Sequence, residues 1–363
     1  MRICLLANAA SVHTQRWAEH FAENGHDVHV VSVRDARIRG VKVHPVRIRC
    51  GVEPISLPAI LLSYTKMLLH IKRIVNNIDP DILHAHYVTT NGLIGAFAGF
   101  HPYIVSTWGS DIFDPPSTSF IFKKIIKFAL SKADAITATS KTLSKGTQEL
   151  APQGRRVQTI PFGVDLAKFK PAMKSHSNKI TIGCAKTLMK LYGVEYLIKA
   201  FASLHKRFPQ TNLLIVGGGP LLNSLKKLAD SLSIGASVDF VGPVPHDQMP
   251  LYLGKMHIFV VPSLSEAWGR AAAEASAMEL PVVASAVGGL PEVIIDGVTG
   301  FLVRPRDHEA IAQKLIWLIE NPALRFSMGA MGRKFVMDNY DWNANASEME
   351  KLYYSLLAHR KDL

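Results

Sequence analysis

The chain of 363 residues has only three cysteines, fewer acidic than basic residues and no long apolar segment. Cys4, Cys50 and Cys184 are far apart and lack metal-ligand spacing, which favours a reducing and therefore cytoplasmic compartment. No apolar run approaches the roughly 18 residues of a membrane-spanning helix. The first ten residues imitate a signal peptide, but their apolar core is only about four residues long, shorter than the ~7 that a signal needs. We interpret them as a buried first strand.

Basic residues are in excess, and the excess is concentrated in the first half of the chain. The formal net charge is +12, of which residues 1–170 contribute +9 and residues 171–363 contribute +3. Such an excess suits a polyanion, an anionic membrane surface or a phosphorylated substrate. Nucleic-acid binding is disfavoured, because the basic residues are not interleaved with aromatic residues along one strand or helix.

Apolar residues make up 48% of the chain, which is enough to bury large cores, and the length predicts two domains. Short β-branched runs alternate with helical periodicity, as is typical of parallel sheets. Strands are predicted at 3–7, 28–33, 41–46, 81–85, 103–107, 135–139, 179–184, 212–216, 238–241, 258–261, 282–284 and 300–303. Helices are predicted at 17–23, 194–205, 220–232 and 309–320, among others.

The alternation predicts an α/β fold of two Rossmann-like, doubly wound domains that face each other across a cleft, because open α/β sheets bind ligands at the carboxyl ends of their strands. A polar stretch with glycine and proline at 161–178 is the expected boundary. The predicted domains are residues 1–165 and 166–342, and residues 343–363 are expected to form a helix that returns to the first domain.

The segment from Val261 to Glu274 is the most informative one. It follows an apolar strand, offers Ser263 and Ser265 as helix caps and continues into an alanine-rich helix, whose start can hold an anionic diphosphate. Glu266 and Glu274 would lie about 12 Å apart along a helix, which matches the distance between the sugar and the ribose of a nucleotide sugar. The alternative is a capping Glu266 and a solvated Glu274.

Two further loops follow predicted strands of the second half. The glycines at 217–219 allow a backbone to approach a nucleotide, but the G-x-G-x-x-G order of a dinucleotide fold is absent, which disfavours a dehydrogenase. Lys186 and Lys190 could neutralise charge on a leaving phosphate, and solvated loop lysines are the alternative.

In the first half, polar and aromatic side chains follow the strands at 3–7, 81–85 and 103–107. These candidates are Ser11, His13, His86, Trp108 and Asp111. His84 and His86 are interpreted as structural histidines, since they form no metal triad. The D-x-D sequence at Asp79 and Asp81 is rejected as a Mn²⁺ site because it precedes a strand.

Residues 119–134 have the pattern of a basic amphipathic helix. Apolar residues at 121, 122, 125, 126, 129 and 130 share one face, and Lys123, Lys124, Lys127 and Lys132 share the other. Such a helix can lie on an anionic bilayer; a helix that covers the sheet with its lysines in water is the alternative. The stretch 58–75 combines apolar residues, including those at 60–62, 68 and 69, with Lys66, Lys72 and Arg73.

Together these motifs resemble the retaining family 4 glycosyltransferases of the GT-B fold, most strongly between Lys179 and Val303. Glu266 and Glu274, within PSLSEAWGRAAAE, resemble the paired glutamates of that family. Lys186 and Lys190 resemble its basic pair, although that family usually has its second base one position later. Further matches are 217–220, 241–242, 288–292 and the junction at 161–165.

The resemblance implies transfer of a sugar from a UDP- or GDP-sugar to an acceptor hydroxyl, with retention of configuration and with no metal or other cofactor. The implied catalytic residues are Glu266, Lys186 and Lys190. Asp111 is added to them from the residue pattern, because its loop after the strand at 103–107 could face the cleft and it is the polar group available near Trp108. The implied donor-binding residues are Gly217, Gly219, Val244, Ala267, Trp268, Gly269, Arg270 and Glu274, and the acceptor side would include Ser11, His13, His86 and Trp108. The first domain departs from the family pattern in two places. The segment Ala9–His13 stands in place of a glycine pair after the first strand, and Trp108 stands in place of a histidine that commonly contacts the donor sugar.

The expected partners are a nucleotide-sugar donor and a saccharide or lipid-linked acceptor, with the first domain against an anionic membrane on its cytoplasmic side. Polysaccharide, lipopolysaccharide or glycolipid synthesis is the expected setting. A nucleotide-sugar epimerase of the same fold and a non-enzymatic polyanion-binding protein are the alternatives. An epimerase would change the sugar nucleotide in the absence of an acceptor.

Overall fold

The structure is a computed structural model that describes residues 1–46, 57–113, 119–171 and 179–361; at 57–64 and 359–361 it describes the backbone alone. Its contacts divide the chain into two units. Unit 1 comprises Met1–Pro161 and Ala346–Leu363, and unit 2 comprises Phe162–Asn345. The predicted limits at residues 165 and 342 lie a few residues from these divisions, and residues 172–178 of the expected boundary lie outside the described residues.

Unit 1 is built on a parallel sheet in the order β3-β2-β1-β4-β5-β6-β7. Its strands are β1 (Arg2–Leu6), β2 (Asp27–Ser32), β3 (Lys42–Pro45), β4 (Ile82–His86), β5 (Tyr103–Thr107), β6 (Ala135–Ala138) and β7 (Val157–Thr159). The short edge strand β7 was not predicted from the sequence. Strands β4 and β5 are buried along their whole length, as expected of parallel strands that helices cover on both faces.

The helices of unit 1 connect these strands. They are α1 (Val12–Glu23), α2 (Leu57–Ile78), α3 (Leu93–Ala98), α4 (Ser110–Phe113), α5 (Phe120–Lys132) and α6 (Lys141–Gln148), with a π-helical turn at Val88–Gly92. Helix α5 begins at the cap residue Ser119, whose hydroxyl accepts a hydrogen bond from the Phe122 amide. The apolar residues 60–62 of α2 have side chains outside the described part of the chain.

Unit 2 contains a second parallel sheet in the order β10-β9-β8-β11-β12-β13. Its strands are β8 (Thr181–Ala185), β9 (Asn212–Val216), β10 (Val238–Gly242), β11 (Ile258–Val261), β12 (Val282–Ser285) and β13 (Gly300–Val303). Its helices are α7 (Val194–His205), α8 (Leu222–Ser231), α9 (Met249–Leu253), α10 (Arg270–Ala277), α11 (Leu290–Val293), α12 (His308–Glu320) and α13 (Pro322–Asn339), with 3₁₀ turns at Lys190–Tyr192, Gly235–Ser237 and His246–Gln248.

The last helix, α14 (Trp342–Lys361), starts in unit 2, and its residues from Ala346 onward belong to unit 1. Within unit 1, Tyr353 is fully buried and its hydroxyl lies 2.6 Å from His84 Nδ1 on β4. The helix therefore completes the core of the first unit.

Candidate functional site

Each sheet reverses its strand order once, between β1 and β4 in unit 1 and between β8 and β11 in unit 2. Open α/β sheets bind ligands outside the carboxyl ends of the strands at such a reversal. In unit 2, Lys186 directly follows β8, and Glu266 lies in the loop that follows β11. The sequence therefore brings a cation and an anion to the reversal from neighbouring strands.

Lys186 and Glu266 form an ion pair in unit 2 through Nζ and Oε2, with side-chain exposures of 9% and 14%. The Ser263 hydroxyl also donates to Glu266 Oε2, at 3.2 Å. The ammonium of Lys186 lies 5.0 Å from the centre of the Tyr192 ring. Two predicted catalytic residues are thus in direct contact, and each is largely shielded from water.

Two glycines allow the neighbouring loops to approach this pair. Gly217 follows β9 with a φ of +138°, and a Cβ atom there would lie 2.0 Å from the Lys186 carbonyl oxygen. Gly288 follows β12, and a Cβ atom there would lie 1.7 Å from the Glu266 carbonyl oxygen, which also accepts a hydrogen bond from Gly289 N at 3.0 Å. The backbone of both charged residues is therefore held by loops that only glycine permits.

Helix α10 starts later than the sequence suggested. Its N-cap is Gly269, with a φ of +101°, and no side chain caps its first turn. The prediction that Ser263 and Ser265 cap this helix is therefore wrong, and Ser263 bonds Glu266 instead. Glu266 lies in the preceding loop, so the expected spacing of the two glutamates along one helix is also wrong.

Glu274 lies inside α10 with only 4% of its surface exposed, which excludes the alternative of a solvated residue. Its Oε1 lies 2.8 Å from His246 Nε2 and 3.6 Å from Arg270 Nε. His246 was not predicted. The available signal was its position just after the predicted strand 238–241, at the same edge of the sheet.

The remaining predicted donor-side residues lie at this edge with different exposures. Trp268 is 2% exposed and packs edge-on against Tyr340, with ring centres 5.5 Å apart. The indole ring of Trp268 is therefore shielded from solvent within unit 2, and its donor contact stays a prediction. Lys190 is exposed, Val244, Ala267 and Arg270 are half-buried, and a Cβ atom at Gly219 would lie 2.6 Å from the Leu188 carbonyl oxygen.

The carboxyl edge of the unit 1 sheet collects aromatic rings. The Trp108 ring after β5 lies 4.7 Å from the His86 ring at the end of β4 and 5.6 Å from the His13 ring of α1. Ser11 is the N-cap residue of α1 at the same edge. Burial lowers the pKa of His86 to about 3, so its imidazole is neutral at physiological pH. Four predicted acceptor-side residues are therefore brought to one edge.

Asp111 is enclosed within unit 1, so the expectation that its carboxylate is an available polar group is wrong. Its carboxylate is fully buried and accepts backbone hydrogen bonds from Val88 at 2.9 Å, Trp108 at 3.0 Å and Gly109 at 2.8 Å. Burial raises the pKa of this carboxyl group. In this structure Asp111 fixes the loop that carries Trp108.

His84 belongs to a buried chain of hydrogen bonds. Its Nδ1 lies 2.6 Å from the Tyr353 hydroxyl, its Nε2 lies 2.7 Å from Ser106 Oγ, and Ser106 Oγ lies 2.5 Å from Thr137 Oγ1. These contacts agree with the interpretation of His84 as a structural histidine. Within the described ranges, no three His, Cys, Asp or Glu side chains come together as metal ligands, and none of the helices described there is long and apolar enough to span a bilayer.

The two parallel sheets, with the same strand order and a candidate site at each carboxyl edge, define a two-domain α/β protein of the GT-B fold. Sucrose-phosphate synthase from Thermosynechococcus elongatus superposes with a TM-score of 0.86 at 22% identity, over 99% of this chain and all of that one. The Anabaena protein Alr3699/HepE, solved in complex with UDP and glucose, superposes with a TM-score of 0.83 at 18% identity, over 98% of this chain and all of that one.

The sequence comparisons identify the family. The model for glycosyl transferases group 1 matches residues 167–335, and the model for glycosyl transferase 4-like proteins matches residues 2–140. The GDP-mannose-dependent α-(1-6)-phosphatidylinositol monomannoside mannosyltransferase of Mycolicibacterium smegmatis is 26% identical, over 93% of this chain and 94% of its own length. The chain belongs to the family 4 glycosyltransferases and transfers a sugar from a nucleotide-sugar donor. None of these matches supports an epimerase or a non-enzymatic polyanion-binding protein.

Proposed function

We propose that this glycosyltransferase moves a sugar from a UDP- or GDP-sugar to a hydroxyl of a saccharide or lipid-linked acceptor, with retention of configuration and without a metal ion. The observation that carries the proposal is the Lys186–Glu266 ion pair at the strand reversal of unit 2. A bound donor offers each member of this pair a new hydrogen-bonding partner in place of the other member. A phosphate oxygen accepts from the Lys186 ammonium, and a sugar hydroxyl donates to the Glu266 carboxylate.

The charges of the leaving diphosphate would be stabilised by protein groups alone. Lys186 supplies a full positive charge, and the uncapped first turn of α10 supplies backbone N–H groups and the positive end of a helix dipole. Such groups stabilise a developing negative charge most when they are shielded from water, as Lys186 is. We therefore expect activity to survive chelation by EDTA. Complete loss on chelation that Mn²⁺ restores would contradict this part of the proposal.

Retention would arise from attack on the same face of the sugar that the diphosphate leaves. A double displacement needs a carboxylate nucleophile, and the Glu266 carboxylate is held by both Lys186 and Ser263, which reduces its nucleophilicity. In the proposed step the bond from the anomeric carbon to the phosphate oxygen breaks, the bond to the acceptor oxygen forms, and the acceptor proton passes to the leaving phosphate. NMR of the first product tests this step, because an inverted anomeric configuration would rule it out.

Substitutions of the two glutamates separate donor binding from turnover. Glu274→Ala removes the proposed acceptor of the hydrogen bonds from the ribose hydroxyls. A hydrogen bond to a charged group contributes about 1.5–3 kcal/mol, so the variant is expected to lose that much nucleotide binding free energy. Glu266→Ala is expected to lower turnover and to leave the affinity for the free nucleoside diphosphate nearly unchanged. Calorimetry with UDP and GDP measures both, after a thermal-shift screen in which a ligand at 100 times its Kd adds about 2.7 kcal/mol. Equal affinity losses in the two variants would contradict the assignment.

We further propose that unit 1 holds the acceptor and contacts an anionic membrane through helix α5. The sequence-based division of this helix was only partly right. Ile126 is buried, but Phe120 and Ile121 are 71% and 69% exposed and lie beside the exposed lysines at 123, 124, 127 and 132. Apolar and basic side chains together on one exposed surface favour binding at an anionic interface. The name of the M. smegmatis mannosyltransferase, which specifies a phosphatidylinositol monomannoside, supports a lipid-linked acceptor.

Co-sedimentation with liposomes tests the membrane contact. Glutamine at all four α5 lysines, or serine at Phe120 and Ile121, is expected to abolish binding to anionic vesicles at about 50 mM salt, where surface charges are weakly screened. The matched control replaces four exposed lysines of unit 2 with glutamine, namely Lys206, Lys226, Lys227 and Lys255, and is expected to bind like the wild type. If the wild-type protein does not bind these vesicles, the membrane contact is excluded, and a soluble phosphorylated acceptor becomes the explanation for the basic surface of α5.

A further inference from the structure

We infer that His246 positions the Glu274 carboxylate for the ribose of the donor nucleotide. This inference rests on the proposed function, in which Glu274 accepts hydrogen bonds from the ribose hydroxyls. His246 lies in the turn His246–Gln248 after β10, whereas Glu274 lies on α10 after β11. Their side chains meet at 2.8 Å, with His246 Nε2 donating to Glu274 Oε1, since a carboxylate oxygen can only accept.

Burial makes this contact important for the carboxylate. The side chains of His246 and Glu274 are 19% and 6% exposed, so Glu274 can draw little stabilisation from water. A buried charge is tolerated only when protein groups bond it. His246 at 2.8 Å and Arg270 at 3.6 Å both approach Oε1. The carboxylate is therefore held by a residue of its own helix and by a residue of a different loop.

The imidazole ring is itself held in place. It lies against the Phe169 ring, with centres 5.6 Å apart and an interplanar angle of 46°. Phe169 is 1% exposed, and its carbonyl oxygen accepts a hydrogen bond from Arg333 at 3.2 Å. A ring that is packed on a buried, anchored neighbour keeps its Nε2 directed at Glu274. A histidine that merely covered the surface would not need this support.

A fixed carboxylate gives ribose recognition at low entropic cost, because two neighbouring hydroxyls must both reach it. Without His246, the Glu274 carboxylate loses the shorter of the two contacts to Oε1 and is held less firmly in that orientation. We expect His246→Ala to weaken nucleotide binding three- to tenfold, which corresponds to the loss of one hydrogen bond. His246→Gln, whose amide can still donate, is expected to recover part of the loss.

The test compares UDP and GDP with their 2′,3′-dideoxy analogues by calorimetry. His246→Ala is expected to weaken binding of the ribonucleotide and to leave binding of the dideoxy analogue at the wild-type value. In a Glu274→Gln background, the same substitution is expected to have no further effect. His205→Ala is the matched control, because it removes a half-buried histidine of the same unit that bonds Thr211 and Ser237 instead.

Each contrary result is distinguishable. Equal losses for both nucleotides, or additive losses in the double variant, would show that His246 acts only through the stability of the fold and would overturn the inference. Wild-type affinity of His246→Ala beside a weakened Glu274→Gln would overturn the inference and preserve the proposed function. A Glu274→Gln variant that keeps full ribonucleotide affinity would overturn the role of Glu274 and the inference with it.

Discussion

The two sheets have the same strand order around their reversal, yet they present opposite chemistry at their carboxyl edges. In unit 2 the edge carries the ion pair Lys186–Glu266 and the pair His246–Glu274. In unit 1 the edge carries the Trp108 ring against His86, and burial keeps the His86 imidazole neutral. One architecture thus supports a charged site and an aromatic one, because the loops after the strands, and not the strands, determine the chemistry.

This comparison also separates overall charge from site charge. Residues 1–170 carry most of the net charge, but the Lys123, Lys124, Lys127 and Lys132 side chains lie on the exposed surface of α5. The second half, at +3, holds Lys186 in the candidate site. Net charge therefore does not locate the candidate site, because the cation of the proposed donor site is a single shielded lysine of the less basic half.

The largest expected effect comes from breaking the charged edge at Lys186. Lys186→Met removes the ammonium proposed to stabilise the leaving diphosphate and leaves Glu266 with an uncompensated charge. Loss of one such stabilising group costs about 10²–10³ in turnover. Steady-state kinetics measure it, and Lys206→Met is the matched control, because Lys206 is an exposed lysine of the same unit with no proposed role in the site. Equal losses in both variants would mean that the ion pair is not the centre of the site.

Much of the fold could be predicted because parallel strands are buried on both faces and appear as apolar runs. The bounds of β5, β9, β11 and β13 agree with the predicted ranges. Strand β7 was missed because it is a short edge strand, Val157–Thr159, of mixed composition and only partly buried. Periodicity carries little signal over so few residues.

The site was less predictable because its side chains are set by tertiary contacts. Both glutamates were identified, but Ser263 was expected to cap a helix and instead bonds Glu266. His246 went unnoticed because its partner is 28 residues away in the sequence. Asp111 was expected to be an available polar group, and its buried bonds to three backbone amides depend on a loop conformation that the residue pattern does not reveal.

The neutral edge of unit 1 can be tested by pH. Burial lowers the pKa of His86 to about 3, whereas an unfolded histidine titrates near 6.5. Between these values the unfolded chain binds a proton that the folded chain does not, so stability is complete above about pH 7 and is lost as the pH falls. Protonation of His86 in the unfolded chain is expected to lower the free energy of unfolding by about 2 kcal/mol as the pH falls from 7 to 5, with a limiting slope of about 1.4 kcal/mol per pH unit.

Urea unfolding at several pH values measures this slope. His86→Asn removes the titrating group and is expected to flatten the pH dependence by that amount. Burial also lowers the pKa of His84, so part of the slope should persist in the variant. His70→Asn, on the exposed side of α2, is the control and should keep the wild-type slope. An unchanged slope in His86→Asn would contradict a neutral, buried imidazole.

A smaller effect is expected from the hydrogen-bond chain below the same edge. Tyr353→Phe removes the hydroxyl that bonds His84 Nδ1 and leaves a buried ring nitrogen without its partner, which costs about 1.5 kcal/mol of unfolding free energy. Tyr354→Phe, at a residue that is 54% exposed, is the matched control. Because these hydrogen bonds lie in unit 1, and the proposed nucleotide site lies in unit 2, nucleotide affinity should be the same in both variants. A Tyr353→Phe variant with wild-type stability would show that the hydrogen bond between Tyr353 and His84 does not stabilise the fold.

The smallest expected effect concerns Ser263, which links the ion pair of unit 2 to the end of β11. Its hydroxyl donates to Glu266 Oε2 at 3.2 Å, whereas Lys186 holds the same oxygen by charge. In Ser263→Ala, Glu266 should therefore be held less firmly but remain paired with Lys186. The loss of one ordinary hydrogen bond, about 1 kcal/mol, should lower kcat/KM for the donor roughly fivefold. Ser265→Ala, two residues along the same loop, is the control. Because Glu266 is proposed to contact the sugar, the Kd of the free nucleoside diphosphate should not change, and a fall in that affinity would place Ser263 with the nucleotide instead.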